Sequence, residues 1–153
     1  MSHKLYVKLD KDCCTLNPDT GVWSFKLPDD FVHSRSPQKR ITVLNFMYYA
    51  TYVPRTGPNT IQIDFTTLHS PTLCDGNYNQ DYYIGTLCYT YNSVFKTYPI
   101  KSNPQYLDFY FKNTDKEVVK TFYMPPDPNA EPGDEYYLKG YEERFTIDLE
   151  LIF

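Results

Sequence analysis

The sequence is poor in the residues that build common catalytic and phosphate-binding sites. It contains three histidines, six glycines and one tryptophan. The motifs G-x-S-x-G, H-E-x-x-H and G-x-G-x-x-G and the Walker A loop are all absent. Histidine is the usual general acid or base, yet His3, His33 and His69 stand in no recognisable catalytic frame. We therefore expect a protein that is not an enzyme and has no cofactor. An enzyme whose catalytic groups come from scattered residues is a further alternative, because triads can assemble that way, but the sequence suggests no residue set for it.

Metal-binding patterns are also missing. The four cysteines are Cys13, Cys14, Cys74 and Cys88, without C-x-x-C or zinc-finger spacing. One irregularly spaced group of potential ligands is His69, Cys74, Asp75 and Cys88, and a second is Asp64, Asp75 and Asp81. Neither group matches a metal-binding motif. We interpret the cysteines as reduced, with a buried cysteine on a strand in the first group, the histidine as a surface residue and the carboxylates as solvated turn residues, so no metal site is predicted.

The chain contains no N-x-S/T glycosylation motif and no apolar run of membrane-spanning length. Residues 1–7 lead directly into an alternating segment and contain no apolar signal-peptide core. We therefore expect a soluble protein without a membrane span, made in a cytosol-like compartment.

Positive charge is in the minority, with 15 basic against 19 acidic residues and a net charge of −4. Such a field repels nucleic acid. The basic cluster at residues 35–40 is interpreted as a solvated loop. Nucleic acid is therefore not an expected partner.

Aromatic residues and prolines are abundant instead. The 16 tyrosines and 10 phenylalanines favour strands, where large side chains pack on a pleated surface. The 12 prolines argue against long helices. The 153 residues suffice for one domain with a substantial core. The composition predicts a single all-β domain over residues 1–153.

Alternating apolar and polar residues predict about eight strands. In the last of these strands one face consists of the apolar residues Phe145, Ile147, Leu149, Leu151 and Phe153. We expect neighbouring strands to hold this strand in place. Residues 41–52 and 60–65 flank a strong turn signal and predict a long hairpin. Residues 107–111 and 118–123 predict another. The turn spacing favours an antiparallel β-sandwich, specifically a single jelly roll.

The proline-rich acidic segment of residues 124–134, here named the proline arm, is expected to run extended on the surface. Exposed proline segments can lie along a neighbouring subunit, and tyrosine is enriched in protein interfaces. The interface candidates are Pro125, Pro126, Pro128, Pro132, Tyr136, Tyr137 and Tyr141. Burial in the sandwich core is an equally good interpretation of the tyrosines.

A second tyrosine-rich segment, residues 75–83, places aromatic rings beside amide and carboxylate groups. This combination is typical of a sugar-binding cleft, where rings stack on the sugar and polar groups bond to its hydroxyls. The glycan-binding candidates are Tyr78, Tyr82 and Tyr83. A polar loop leading into an aromatic strand is the simpler interpretation.

Residues 106–118 (YLDFYFKNTDKEV), followed by FTIDLEL at residues 145–151, carry a resemblance to a known family. They resemble the ending of small single-jelly-roll structural proteins of large double-stranded DNA viruses and virus-like transposons. There a strand, a short Asp-containing turn, a return strand and a final F-x-I-x-L-E-L strand close the domain. Residues 60–69 are similar to the strand that leads into the middle loop of such proteins.

The resemblance implies a penton or minor capsid component that joins or cements a capsid lattice. Its partners would be other capsid subunits, and it would act as a homo-oligomer or lattice copy. It would be made in the host cytoplasm and located in the virion. A carbohydrate-binding β-sandwich module is the alternative function.

Overall fold

Strands dominate the computed structural model. It describes residues 3–50, 62–68, 77–79, 87–91, 96–100, 103–112, 117–120, 123–129, 131 and 141–153. In chain order its strands are β1 (Lys4–Asp10), β2 (Thr15–Asn17), β3 (Val22–Lys26), β4 (Arg40–Ala50), β5 (Gln62–Phe65), β6 (Asn77–Asn79), β7 (Leu87–Tyr91), β8 (Lys96–Pro99), β9 (Tyr106–Lys112), β10 (Tyr123–Met124) and β11 (Tyr141–Ile152). The helices are α1 (Asp29–Val32) and a 3-10 turn (Thr66–Leu68). Within these ranges no helix is long and apolar enough to cross a membrane.

The strands form two antiparallel sheets. The first follows the order β1-β11-β4-β7-β6, with β10 also paired to β11 and β8 to β4, and the second follows β2-β3-β9-β5. β8 pairs with residues 40–43 of β4 and β7 with residues 46–50, so the two share one edge of β4. The predicted all-β antiparallel sandwich is confirmed.

Aromatic rings join the two sheets in the core. Phe145 of the first sheet lies with its ring centroid 4.9 Å from Trp23, 5.6 Å from Phe109 and 5.1 Å from Phe111, all in the second sheet. Phe46 of the first sheet stacks on Phe111 at 5.8 Å. Each such pair contributes roughly 0.5–1.5 kcal/mol beyond its buried area. The many aromatic residues of the sequence therefore form the contact between the sheets.

The last strand lies between two neighbouring strands and not at the edge of its sheet. β11 pairs with β1 along one edge and with β4 along the other. Its inward side chains are fully buried at Phe145, Ile147, Leu149 and Leu151. A bulge interrupts the β4 pairing, where Asp148 lies opposite Asn45 but Leu149 lies opposite Val43. The expectation that neighbours hold this strand is confirmed.

The hairpin predicted from residues 41–52 and 60–65 is wrong. β4 belongs to the first sheet, whereas β5 pairs with β9 in the second. Both edges of β4 are already occupied, by β11 on one side and by β7 and β8 on the other. The chain therefore crosses between the sheets here, and residues 51–61 lie outside the described part.

The second predicted hairpin forms only in part. After β9 the chain returns beside it through one bridge between Lys112 and Val118, supported by a 2.8 Å bond from Val119 N to Phe111 O. The next strand, β10, then pairs with β11 instead.

Two charged side chains interpreted as solvated are buried. Lys39, from the basic cluster, donates through Nζ to Val32 O and to Asn103 Oδ1, each at 3.1 Å. Desolvation lowers the pKa of Lys39. Asp64 lies in β5, and its Oδ2 is 2.7 Å from Lys112 Nζ. Both residues are buried because a polar partner on a neighbouring segment compensates them.

Candidate interaction site

The proline arm leaves the sandwich beside the central strand of the first sheet. In β10, Tyr123 pairs with Glu142 and Met124 with Tyr141, so the arm begins at the N-terminal end of β11. This pairing fixes the backbone of Tyr141, one of the interface candidates. The role of Tyr141 in an interface stays a prediction.

The first half of the arm is exposed. Pro125, Pro126 and Pro128 are all solvent-accessible, as is Glu131. Asp127 Oδ1 accepts a 2.9 Å bond from Asn129 N, a local turn that closes the run of prolines. Pro132, Tyr136 and Tyr137 lie outside the described residues, so their interface role stays a prediction.

The exposed prolines limit how the arm can be bound. Proline has a fixed φ and no backbone donor, so the arm loses little conformational entropy when bound and presents mainly carbonyl oxygens and ring surface. Such segments fit grooves lined with aromatic side chains. Whether the arm binds a neighbouring protein stays a prediction.

Glu143 lies at the base of the arm and was missed by the sequence reasoning. It has the same parity as Phe145, so it faces inward, and its side chain is buried. Burial raises the pKa of Glu143 to about 8. Its Oε2 has no hydrogen-bond partner within the described part of the chain. Continuing the alternation of residues 145–153 two residues towards the N-terminus would have identified Glu143 as an inward-facing residue.

The structure describes only one of the three glycan-binding candidates. Tyr78 lies in β6, opposite Tyr89 of β7, in the last strand of the first-sheet order. Tyr82 and Tyr83 lie outside the described residues. Whether the three tyrosines form a cleft stays a prediction.

A partly buried ion pair lies on the outer face of the second sheet. Asp64 of β5 is opposite Tyr110 of β9, and Lys112 lies 5.3 Å from the centre of the Tyr110 ring. The hydrogen bond with Asp64 raises the pKa of Lys112, and desolvation is the main cause that raises the pKa of Tyr110. These contacts couple β5 to β9, which gives the cluster a structural role.

Two observations on the described residues concern small-molecule and metal binding. One open cavity there, of about 160 Å³, is lined by Lys26, Leu27, Asp29, Val32, His33 and Gln105. It is smaller than the roughly 300–1,000 Å³ of ordinary ligand pockets. Over the same ranges no three His, Cys, Asp or Glu residues are grouped around a possible metal position. Three of the potential ligands named in the sequence analysis, His69, Cys74 and Asp75, lie outside the described residues.

Three large apolar side chains within the described ranges are exposed. They are Leu5 and Tyr6 of β1 and Tyr106 of β9. Interaction with the Glu150 carboxylate is the main cause that raises the pKa of Tyr6. The exposure of Leu5 and Tyr6 depends on where β1 lies in the sheet, which a local sequence pattern does not reveal.

No protein-family model matches the chain, and no curated protein matches it.

Proposed function

We propose that the protein is a viral structural protein, a penton or minor capsid component that joins or cements the capsid lattice through protein–protein contacts. The observation that carries the proposal is the strand order. Along the chain, β1, β3, β4, β5, β7, β9 and β11 alternate between the first and second sheets. Within the first sheet, β1 lies beside β11, and β4 lies on the other side of β11. This alternation supports a jelly roll, an architecture common in viral capsids.

The continuous core of the sandwich also supports the proposal. This core is continuous from Leu9 to Leu151 and is filled by rings from both sheets. A rigid subunit loses less conformational entropy when it assembles than a flexible one does. The proposed partners are other capsid subunits, as a homo-oligomer or as lattice copies, in a virion assembled from protein made in the host cytoplasm.

The proposed contacts lie in the proline arm and the tyrosines that follow it. The set is Pro125, Pro126, Pro128, Pro132, Tyr136, Tyr137 and Tyr141. The exposure of the first three prolines and the attachment of the arm to β11 support this role. No catalytic residue is assigned, because assembly requires binding and no bond is made or broken.

Deleting residues 124–134 tests the arm. We expect the deletion to prevent incorporation into particles on co-expression with the major capsid protein. A matched variant, with Pro125, Pro126 and Pro128 replaced by serine, keeps the length of the arm and should weaken incorporation. Circular dichroism should show an unchanged β-signal for both variants. Unaltered incorporation of the deletion variant would count against the arm.

Carbohydrate binding is the second candidate, because lectins also use jelly rolls and Tyr78 lies on a terminal strand of the sheet order. A glycan array provides the test. Binding that is lost when Tyr78, Tyr82 and Tyr83 are all replaced by alanine would support this function. No binding by the native chain, or binding retained by the triple variant, would eliminate it.

A further inference from the structure

β1 lies at one end of the first sheet, and among the strands that the structure describes only β11 pairs with it. Backbone groups of successive residues in an antiparallel strand point to alternate edges. His3 and Phe153 exchange both backbone bonds, at 2.5 and 3.0 Å, in register with the β1–β11 pairing. Leu5 and Val7 therefore also bond towards β11. The residues whose N–H and C=O groups point to the outer edge are Lys4, Tyr6, Lys8 and Asp10, and no strand in the described part of the chain pairs there.

The Cys13 thiol covers one half of this outer edge. Its Sγ accepts a 3.3 Å bond from Asp10 N and lies 3.6 Å from Lys8 O and 3.5 Å from Asp10 O. The Asp10 carboxylate in turn accepts a 3.1 Å bond from Cys13 N, which holds the loop in place. The residues whose outer-edge groups are both left open are therefore Lys4 and Tyr6.

The open half of the edge also carries exposed apolar surface. Leu5 is 38% exposed on the inner face of the sheet, and Tyr6 is 66% exposed on the outer face. Unpaired strand edges beside exposed apolar side chains readily pair with another chain. Leu5 and Tyr6 therefore mark a contact with a further strand.

A second copy of β1 fits the open half reciprocally. When two copies run antiparallel about a twofold axis at Leu5, Lys4 of one lies opposite Tyr6 of the other. Both residues point their backbone groups to the outer edge, so each such pair exchanges two hydrogen bonds. Leu5 then faces Leu5 of the second copy, with Cβ atoms roughly 4.5–5.5 Å apart. The Cys13 loops stay outside the paired region.

Charge favours the same register. Within one copy, Lys4 Nζ lies 4.0 Å from Glu150 Oε1. In this register Lys4 of each copy also lies beside the Tyr6 ring of the other, so both cations sit between an aromatic face and a carboxylate. An ammonium group is attracted both to an aromatic face and to a carboxylate. A register centred on Tyr6 would instead place Lys4 opposite Lys8 of the second copy, so that two cations meet at the half covered by Cys13.

We propose that β1 pairs with β1 of a second copy of this chain, antiparallel and centred on Leu5, so that the first sheet continues across a twofold dimer. The contact is isologous, as in most homodimers. Only a short stretch pairs, so the dimer is weak and its population rises with concentration. The contact does not depend on the capsid role, because it involves neither the proline arm nor another protein.

Sedimentation velocity at increasing concentration tests the dimer. Leu5→Lys places two ammonium groups opposite each other and removes the apolar contact. We expect it to raise the dissociation constant at least about tenfold. Tyr106→Lys, at an exposed tyrosine of the second sheet, is the matched control and should leave the constant unchanged. A native chain that stays monomeric, or a dimer that Leu5→Lys leaves intact, would overturn the proposal.

Disulfide trapping tests the register and does not rely on the lysine variant. Under mild oxidation Leu5→Cys should form a disulfide between copies, because directly opposite Cβ atoms are near the distance that a disulfide requires. Lys8→Cys should not, because the two Lys8 positions are far apart in this register. Peptide mapping identifies the bonded positions. Equal trapping at both positions, or none at Leu5→Cys, would overturn the register.

Discussion

At the scale of single residues, Glu143 places an acidic group on the otherwise apolar inner face of β11. Burial raises its pKa from 4.5 to about 8. Between these values the folded protein holds a proton that the unfolded chain has released. The free energy of unfolding therefore decreases as the pH rises from about 4.5 to about 8. The contribution of Glu143 to the free energy of unfolding is therefore most favourable in acid.

Glu143→Gln should remove this pH dependence, because the amide does not ionise. Relative to the native chain, we expect the variant to gain stability between about pH 5 and pH 8, on the order of 3 kcal/mol. Urea unfolding at the two pH values measures the gain. The control is Glu131→Gln, at an exposed glutamate of the arm, which should show no gain. A stability difference for Glu143→Gln that is the same at both pH values would contradict the assignment.

Gly21 is required by the turn between β2 and β3. Its φ is +77°, and an added Cβ would lie 2.7 Å from Val119 O. We expect Gly21→Ala to lower the free energy of unfolding by about 1–3 kcal/mol, measured by urea unfolding. Lys120→Ala, at an exposed residue beside the same turn, should cost no more than about 0.5 kcal/mol. Equal losses for the two variants would contradict this role for the glycine.

At the scale of elements, the stability that β11 provides depends on the alternation of buried and outward-facing side chains along the strand. Phe145 is fully buried and contacts rings of the opposite sheet. We expect Phe145→Ala to lower the free energy of unfolding by about 3–5 kcal/mol. Thr146→Ala, on the outer face of the same strand, should cost about 1 kcal/mol or less. Chemical denaturation of both variants provides the comparison, and similar costs would contradict the assigned faces.

The strands that the sequence predicted correctly are those with a strong local pattern. Alternation in residues 145–153 identifies both the strand and its buried face, because burial repeats every second residue. Pairing between strands is not local, so the turn signal between β4 and β5 indicated a bend but not the change of sheet. The same reasoning explains Lys39 and Asp64, whose partners come from distant segments of the chain.

At the scale of the whole molecule, the candidate site was only partly predictable. Composition indicated an exposed proline arm, and Pro125, Pro126 and Pro128 are exposed. The open edge at Leu5 and Tyr6 could not be predicted, because it exists only when β1 is the end strand of its sheet. A local pattern gives the faces of a strand, whereas its place in the sheet follows from the pairing of the whole chain.

The central claim is that this sandwich acts by assembling with other subunits, and its mass in solution tests that most directly. Sedimentation velocity of the intact chain at increasing concentration should reveal assemblies larger than a dimer of the 18.1 kDa subunit, lost when residues 124–134 are deleted. A residual dimer in the deletion variant would be the β1 contact. A native chain that never exceeds a dimer at any concentration, and that also fails to enter particles on co-expression with the major capsid protein, would contradict the claim.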